Sequence, residues 1–186
     1  NTTGGYNTAN GFYSLYSNTT GVRNTANGSF SLYSNTTGGL NTANGYEALL
    51  SNTTGVYNTA NGYEALYSNT IGVSNTANGT FSLYNNTTGD NNTALGYYAG
   101  YSGSNYSNST SIGYSAVRTA SNQVRIGNSS VTSIGGYAWW TNVSDARFKK
   151  NIEEKVIGLD FIMALRPVTY NLDMDAIASF NETPDS

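Results

Sequence analysis

The residues that suggest covalent chemistry in this sequence carry hydroxyl and amine groups, because its 186 residues include neither Cys nor His. Zinc clusters, disulfide scaffolds, Cys nucleophiles and His-based triads are therefore excluded, and we expect no metal and no cofactor. A Ser nucleophile then needs a Lys as its base, with a pKa lowered by burial. Ser144 is followed by Lys149 and Lys150. On spacing alone, Ser144 and Asp145 also fit a turn and helix cap before a solvated Lys pair.

The charge content excludes two classes of partner. Charged residues make up 10% of the chain and the formal net charge is -3, with 8 Lys and Arg residues. So few basic residues provide no electrostatic footprint for nucleic acid. Apolar residues are interrupted every few positions, and no segment reaches the roughly 20 residues that span a bilayer. We expect neither nucleic-acid binding nor membrane insertion.

Most of the chain before these candidate residues consists of an internal repeat. Residues 1–102 divide into six consecutive 17-residue units that read N-T-T-G-x-x-N-T-A-N-G-x-x-[SA]-L-Y-S with small variations. The fourth and eleventh residues of every unit are Gly. The period then decays over residues 103–136, where Ile-Gly steps at 112–113, 126–127 and 134–135 lie 14 and then 8 residues apart.

The repeat predicts an all-β fold, a parallel β-solenoid (β-roll) with one 17-residue coil per unit. This period is too short for a helical pair or a propeller blade. Thr, Tyr, Val and Phe favour strands, whereas N-G and T-G pairs mark two turns in each unit. Stacked coils would place identical residues above one another as ladders. Two apolar ladders are expected, at the fifteenth position (Leu15, Leu32, Leu49, Leu66 and Leu83) and at the ninth (Ala9, Ala26, Ala43, Ala60, Ala77 and Ala94).

Two modest apolar ladders form a thin core for a free-standing solenoid, so we expect association with further copies of the chain. Such an oligomer would bury aromatic positions of the repeat: Phe12, Phe30, Tyr46, Tyr63 and Phe81. The tenth position holds Asn in five units, from Asn10 to Asn78. These Asn side chains either form a hydrogen-bonded ladder or turn outward, and the sequence leaves both arrangements open.

The last part of the rod carries a second pattern. Its steps are Ala94-Leu95-Gly96, Ser111-Ile112-Gly113 and Arg125-Ile126-Gly127. With these steps, residues 92–136 resemble the head repeats of trimeric autotransporter adhesins. Those heads are trimers of parallel β-rolls, so the resemblance implies a homotrimer here. Related N-T-A-x-G repeats occur in phage tail fibres and bacterial surface proteins.

The composition changes sharply beyond the rod, which we place at residues 1–136. Residues 144–186 hold 13 charged residues, whereas residues 1–102 hold four. A junction at 137–143 contains the adjacent Trp139 and Trp140. Because the ends of solenoids need covering, we interpret this Trp pair as a cap.

The C-terminal segment begins Ser144-Asp145-Ala146-Arg147-Phe148-Lys149-Lys150-Asn151-Ile152 and later reads Leu165-Arg166-Pro167-Val168-Thr169-Tyr170. Helix signals cover 156–165, Pro167 ends them and 168–172 reads as a strand, so residues 144–186 predict a small α+β segment. Its two motifs resemble the start of the endosialidase-type intramolecular chaperone, a C-terminal domain of phage tail spikes and fibres. In that family the domain drives trimerisation of a β-helical fibre and then cuts itself off.

The resemblance implies a self-cleavage site. Ser144 and Lys149 occupy the family's catalytic dyad positions, and the Val143–Ser144 peptide bond is then the one that is cut. Lys150 is an alternative base. A cut at its own preceding bond makes Ser144 a single-turnover agent with no external substrate. Only 43 residues follow that bond, fewer than is usual in the family, so the segment corresponds to part of a chaperone.

The leading functional prediction is a structural and adhesive fibre segment of a bacterial surface protein or a phage tail fibre. Its location would be extracellular, on a cell surface or a virion, and its partners would be two further copies and host or cell-surface glycans. An alternative is an ice-binding or glycan-binding solenoid that uses its stacked Thr, Asn and Tyr ladders. The Thr arrays lie at the second position (Thr2, Thr19, Thr36, Thr53, Thr70 and Thr87) and at the eighth (Thr8, Thr25, Thr42, Thr59, Thr76 and Thr93).

Overall fold

A computed structural model describes residues 2–102 and 105–135, and these residues form the predicted all-β parallel solenoid. Eight three-residue strands lie side by side in one sheet, in chain order, and every neighbouring pair is parallel. The strands are β1 (Thr8–Asn10), β2 (Thr25–Asn27), β3 (Thr42–Asn44), β4 (Thr59–Asn61), β5 (Thr76–Asn78), β6 (Thr93–Leu95), β7 (Thr110–Ile112) and β8 (Val124–Ile126). From β1 to β7 each strand residue pairs with its own repeat equivalent, as Thr8 does with Thr25.

Only one of the two segments in each coil forms a strand. In the other segment, the residues at the thirteenth and fifteenth positions have positive φ, for example Glu47 at 55° and Leu49 at 53°. Alternating left-handed residues prevent an extended strand. Hydrogen bonds still connect this segment to its neighbours, because the Leu49 amide donates to the Ala65 carbonyl of the next coil at 3.0 Å.

The Gly at the eleventh position is required by the closeness of the coils. The φ of Gly45 is 141°, a region that side chains rarely adopt. A Cβ atom on Gly45 would overlap the carbonyl oxygen of Gly62 in the next coil. The equivalent Gly residues of the other units have φ values between 127° and 139°, which explains why the repeat keeps Gly at this position.

The two predicted apolar ladders form the hydrophobic core. Leu32, Leu49, Leu66 and Leu83 are fully buried, as are the ninth-position Ala residues from Ala26 to Ala94. A third set of buried Ala residues lies at the fourteenth position: Ala48, Ala65, Ala99 and Ala116. The interior of a coil therefore holds small side chains packed beside a single Leu.

Buried amides complete the interior. The Asn residues at the first and seventh positions of coils 3, 4 and 5 are fully buried. At the first position, the Asn52 amide nitrogen donates to the Asn35 amide oxygen in the preceding coil at 2.8 Å. At the seventh position, the Asn58 amide nitrogen donates to the Gly72 carbonyl at 2.7 Å, and its oxygen accepts from the Asn75 backbone amide at 2.9 Å. Because these amides bond between coils, they hold the stack together as well as fill it.

The regular stack changes at its C-terminal end. β8 follows β7 after 14 residues, so Thr110 pairs with Val124. Gly100 stands where the Leu ladder would continue, and the guanidinium of Arg118 occupies the space beside it. Arg118 is 1% exposed, and burial lowers its pKa to about 10. A buried cation thus ends the apolar core.

The chain divides into two units, Asn1–Gly136 and Tyr137–Ser186, and the described residues belong to the first. The predicted junction at 137–143, the Trp139–Trp140 cap and the α+β segment at 144–186 lie outside the described residues, and these assignments stay predictions. No helix long and apolar enough to cross a membrane occurs among the residues that the structure describes.

Candidate functional surfaces

The predicted cleavage site lies outside the described residues. Ser144, Lys149, Lys150 and the Val143–Ser144 bond all fall beyond residue 135, where the description ends. The dyad therefore stays a prediction, and the surfaces of the rod carry the remaining functional candidates. Within residues 2–102 and 105–135 no group of three or more acidic residues could hold a metal ion.

The Thr ladder at the second position is used within the solenoid. The hydroxyl of Thr19 donates to the backbone carbonyl of Thr36 in the next coil at 2.9 Å. The same bond recurs from Thr2, Thr36, Thr53 and Thr70, with lengths of 3.0 to 3.1 Å. These hydroxyl protons hold the coils together, and are not available as donors to a ligand.

The outward side of the sheet, which we call the strand face, consists of the eighth- and tenth-position side chains. Since the Ala between them points into the core, pleating turns the Thr and Asn side chains outward. The Asn27 amide nitrogen donates to the Asn44 amide oxygen at 2.9 Å, and the same bond continues to Asn61 and Asn78 at 2.7 Å. The two arrangements left open by the sequence therefore coexist, because the tenth-position Asn residues face outward and form a hydrogen-bonded ladder.

The strand face becomes aliphatic in the last three strands. Leu95, Ile112 and Ile126 continue the tenth-position ladder in register. Their side chains are 52%, 37% and 39% exposed, and Val124 beside them is 70% exposed. A contiguous aliphatic patch of this kind on a single chain is typical of a surface that another protein chain covers.

A stripe of aromatic rings, which we call the aromatic stripe, runs along another side of the rod. Its members are Phe12, Tyr13, Tyr16, Phe30, Tyr33, Tyr46, Tyr63, Tyr67, Phe81, Tyr84, Tyr97, Tyr98, Tyr101 and Tyr114. Many of the rings stack between coils, as Tyr46 does on Tyr63 with centroids 5.2 Å apart and planes 14° apart. Stacked rings cover one another's faces and leave their edges for solvent, which is a poor platform for a sugar ring.

Two carboxylates interrupt the aromatic stripe. Glu47 and Glu64 occupy the thirteenth position in neighbouring coils, where other units have an aromatic ring. A hydrogen bond to Glu64 raises the pKa of Tyr63 to about 12, and the equivalent bond to Glu47 raises the pKa of Tyr46. Each carboxylate is thus paired with the phenol that precedes it in the chain.

A cleft of about 780 Å³ lies at the C-terminal end of the described rod. Its lining includes Tyr114, Val117, Val124, Ile126 and Ile134. Val124 and Ile126 also belong to the aliphatic part of the strand face, so the cleft extends that apolar surface. Arg125 is the charged residue of the lining.

Comparison with known proteins finds a similarity in the C-terminal segment. No curated protein and no solved structure gives a significant match to the chain. A family model does match, and it confirms the resemblance found in the two C-terminal motifs. Residues 144–184, which follow the β-solenoid rod in the chain, match the family model described as "Chaperone of endosialidase".

Proposed function

We propose that the chain is a segment of a trimeric fibre, from a phage tail or a bacterial surface, whose rod is assembled with the help of its C-terminal chaperone segment. The observation that carries the proposal is the order of the two parts. A parallel β-solenoid followed by a chaperone-of-endosialidase segment fits a tail-fibre-like structural protein. A fibre of this kind works outside the cell, on a virion or a cell surface.

The aliphatic part of the strand face is the proposed contact between copies. Leu95, Ile112 and Ile126 form an in-register ladder, so three copies related by a rod-parallel axis would bring three such ladders together. Burial of these side chains would supply the apolar area that the narrow core of a single chain lacks. The aromatic stripe, whose rings already stack within the chain, would then remain at or near the outer surface.

The oligomeric state tests this contact. Sedimentation equilibrium of the intact chain should give a trimer, and Ile112→Lys should convert it to monomers. Ile71→Lys is the matched control, because Ile71 is 53% exposed but does not belong to the strand face. A monomeric parent protein would contradict the proposed trimer. If Ile112→Lys and Ile71→Lys reduced trimer formation equally, the strand face would not be the contact between copies.

Self-cleavage is the second part of the proposal. The Ser144 hydroxyl oxygen would attack the carbonyl carbon of Val143 while Lys149 accepts the hydroxyl proton and passes it to the Ser144 nitrogen as the Val143–Ser144 C–N bond breaks. The product is an ester that still joins the two parts through Ser144. Water then hydrolyses this ester, which leaves the carboxyl group on Val143 and restores the hydroxyl of Ser144, so that the two fragments separate. Mass spectrometry of the purified chain should find a cut between Val143 and Ser144. Ser144→Ala should abolish the cut, whereas Ser179→Ala, a control in the same segment, should not.

A pair of matched variants tests which Lys is the base. Lys149→Ala should stop cleavage while Lys150→Ala leaves it, since the family pattern assigns the base to Lys149. The reverse result would transfer the role to Lys150. An uncut parent protein would mean that the segment assists assembly without cleaving, and the fibre proposal would stand on the oligomeric state alone.

Lattice binding is a second candidate, favoured by one observation on the strand face. The hydroxyls of Thr25, Thr42, Thr59 and Thr76 make no hydrogen bond within the described part of the chain, in contrast to the second-position Thr ladder. Their regular spacing along a parallel sheet suits ice or another repeating surface. Thermal hysteresis of the intact chain tests this function, and its absence removes it.

A further inference from the structure

Tyr46 and Tyr63 form an exposed pair of stacked phenols between two neighbouring coils. They occupy the twelfth position of coils 3 and 4, 17 residues apart. Their ring centroids lie 5.2 Å apart with planes 14° apart, and the two side chains are 42% and 45% exposed. Coil stacking therefore holds the two rings close together and nearly parallel, while their edges stay open to reagents in solution.

Phe rings flank this pair within the aromatic stripe. Phe30 lies 6.2 Å from Tyr46 and Phe81 lies 5.4 Å from Tyr63, both in edge-to-face arrangements. A Phe ring has no hydroxyl proton to lose. Among the residues that the structure describes, Tyr63 is the phenol in ring contact with Tyr46. A radical formed on either ring of the pair therefore has the other ring as its phenol neighbour.

Each phenol of the pair also has a proton acceptor beside it. Glu47 follows Tyr46 and Glu64 follows Tyr63, and the hydrogen bonds to these carboxylates raise the pKa of both phenols. A phenol that loses an electron becomes a strong acid and must release its proton. A carboxylate in position to accept that proton assists the oxidation, so the neutral phenols carry their own base.

Tyr67 and Tyr84 provide a comparison within the same chain. Their rings also stack between coils, with centroids 4.9 Å apart and planes 10° apart. Both side chains are half-buried, however, and the residues that follow them are Ser68 and Asn85. This pair has the stacking geometry without the neighbouring carboxylates and with less exposure.

We propose that Tyr46 and Tyr63 are a site of oxidative cross-linking, where a one-electron oxidant joins coils 3 and 4 through a dityrosine bond. Each phenol gives one electron to the oxidant and its proton to Glu47 or Glu64. The two phenoxyl radicals then form a carbon–carbon bond between one ortho carbon of each ring. Each of these carbons releases its hydrogen as a proton, and each phenolic oxygen takes up a proton, which restores both aromatic rings.

The oxidant is a peroxidase that uses hydrogen peroxide. The reaction removes two electrons and two protons from the pair, and the carboxylates pass these two protons on to water. One molecule of hydrogen peroxide accepts two electrons and two protons and becomes two molecules of water. The electrons and atoms therefore balance, and Glu47 and Glu64 are regenerated as carboxylates.

The cross-link would act as a covalent staple between neighbouring coils. Because the chain contains no Cys, it cannot form a disulfide between them. A dityrosine bond would close a loop of the same kind and restrict the unfolded chain, as a disulfide does. This effect lies within one chain, so it does not depend on whether the rod forms a trimer or binds a ligand.

Treatment of the intact chain with a peroxidase and limiting hydrogen peroxide tests the proposal. Peptide mapping by mass spectrometry should find the Tyr46 and Tyr63 peptides joined, in a single chain that is lighter by two hydrogen atoms and has the blue fluorescence of dityrosine. Tyr46→Phe should remove most of this fluorescence. Tyr57→Phe is the matched control and should not, because Tyr57 is 59% exposed but lies outside the aromatic stripe. Undiminished fluorescence in Tyr46→Phe, or cross-links mainly between Tyr67 and Tyr84 or between separate chains, would overturn the proposal.

A second set of variants tests the carboxylates. Replacing both by Glu47→Gln and Glu64→Gln should slow formation of the Tyr46–Tyr63 cross-link at least about tenfold, because the positioned proton acceptors are lost. Asp90→Asn is the control, since it removes a carboxylate elsewhere on the rod and keeps an oxygen that can accept from the Val73 amide. It should leave the rate unchanged. An equal rate in the double Gln variant would show that the carboxylates do not accept the protons, and the assignment of this pair would fail.

Discussion

The strand face has two unlike regions on one continuous sheet. In β2 to β5 its tenth position is a ladder of Asn amides with bonds of 2.7 to 2.9 Å, and in β6 to β8 it is a ladder of Leu and Ile. The interior changes at about the same place, from a Leu ladder to the guanidinium of Arg118 beside Gly100. Because the parallel pairing of the strands persists throughout, the backbone accepts either Asn or an aliphatic residue at the tenth position. The first region is stabilised within the chain, and the second is suited to contacts with another chain.

The largest expected difference between the regions is at the seventh position. Asn58→Ala would leave the Asn75 backbone amide without its buried acceptor and would remove one of the two donors of the Gly72 carbonyl, which keeps its bond from Asn69, at a cost of about 3 kcal/mol. The equivalent residue near the end, Ser109, donates to nearby carbonyls of Ser107 and Ala120 at 3.1 and 3.4 Å. Ser109→Ala should therefore cost about 1 kcal/mol. Denaturant midpoints would measure both, and equal losses would contradict the comparison.

A second prediction concerns the end of the Leu ladder. Gly100→Leu restores the repeat, and its φ of 64° is close to the 51° to 53° of the other Leu residues at this position. A Cβ there would lie 2.9 Å from Leu83 Cδ2 and from a guanidinium nitrogen of Arg118. Overpacking should cost about 2 kcal/mol.

The double variant provides the control for this prediction. Arg118→Ala removes the side chain that occupies the space beside Gly100, so Gly100→Leu should be far less costly in that background. The denaturant midpoints of the two single variants and the double variant would give the coupling. Additive effects would show that the guanidinium does not take the place of the missing Leu.

Some of this architecture follows from the sequence and some does not. The period predicts the coils, and the Leu and Ala ladders are confirmed as the core. The sequence does not reveal that the Asn residues at the first and seventh positions lie inside, because an amide can be buried only when partners lie in the neighbouring coils, and one repeat does not show those partners. The burial of Arg118 does not follow from the sequence either, since it depends on the space left by Gly100.

Some of the candidate sites can also be predicted from the sequence, and others need the structure. Ser144 and Lys149 could be nominated because a family motif includes them, and their roles stay predictions. The aliphatic ladder of Leu95, Ile112 and Ile126 is visible in the sequence as a pattern, but its exposure required the register of the strands. The tenth-position Asn residues could not be placed, because both alternatives satisfy the same spacing.

A third prediction extends the aliphatic ladder of the strand face into the Asn ladder. Asn78→Ile would add a rung to the Leu95 ladder, and should strengthen association by about 1 kcal/mol per chain if that ladder is the contact between copies. Asn44→Ile makes the same change in the middle of the Asn ladder, away from the aliphatic patch, and serves as the control. Sedimentation equilibrium over a range of concentrations would compare them. A stronger effect from Asn44→Ile would place the contact elsewhere on the strand face.

The smallest expected effect concerns the aromatic stripe and is a shift in titration. The hydrogen bond to Glu64 raises the pKa of Tyr63 to about 12 from an ordinary value of 10.0, so the folded chain favours the neutral phenol. Any stability that comes from this bond is fully present below pH 10.0 and is lost as the pH rises towards about 12.

Glu64→Gln should move the pKa of Tyr63 back towards 10.0, because the hydrogen bond to the carboxylate, which is the main cause of the elevation, is lost. NMR detection of the Tyr63 ring would follow this titration directly. Glu47→Gln is the matched control, since its main effect should be on Tyr46 in the neighbouring coil. If both variants lowered the pKa of Tyr63 equally, the pKa would depend on the charges of both coils and not on one hydrogen bond. If only Glu64→Gln lowers it, each carboxylate acts on the Tyr of its own coil, as the separate Tyr-Glu pairs of the rod require.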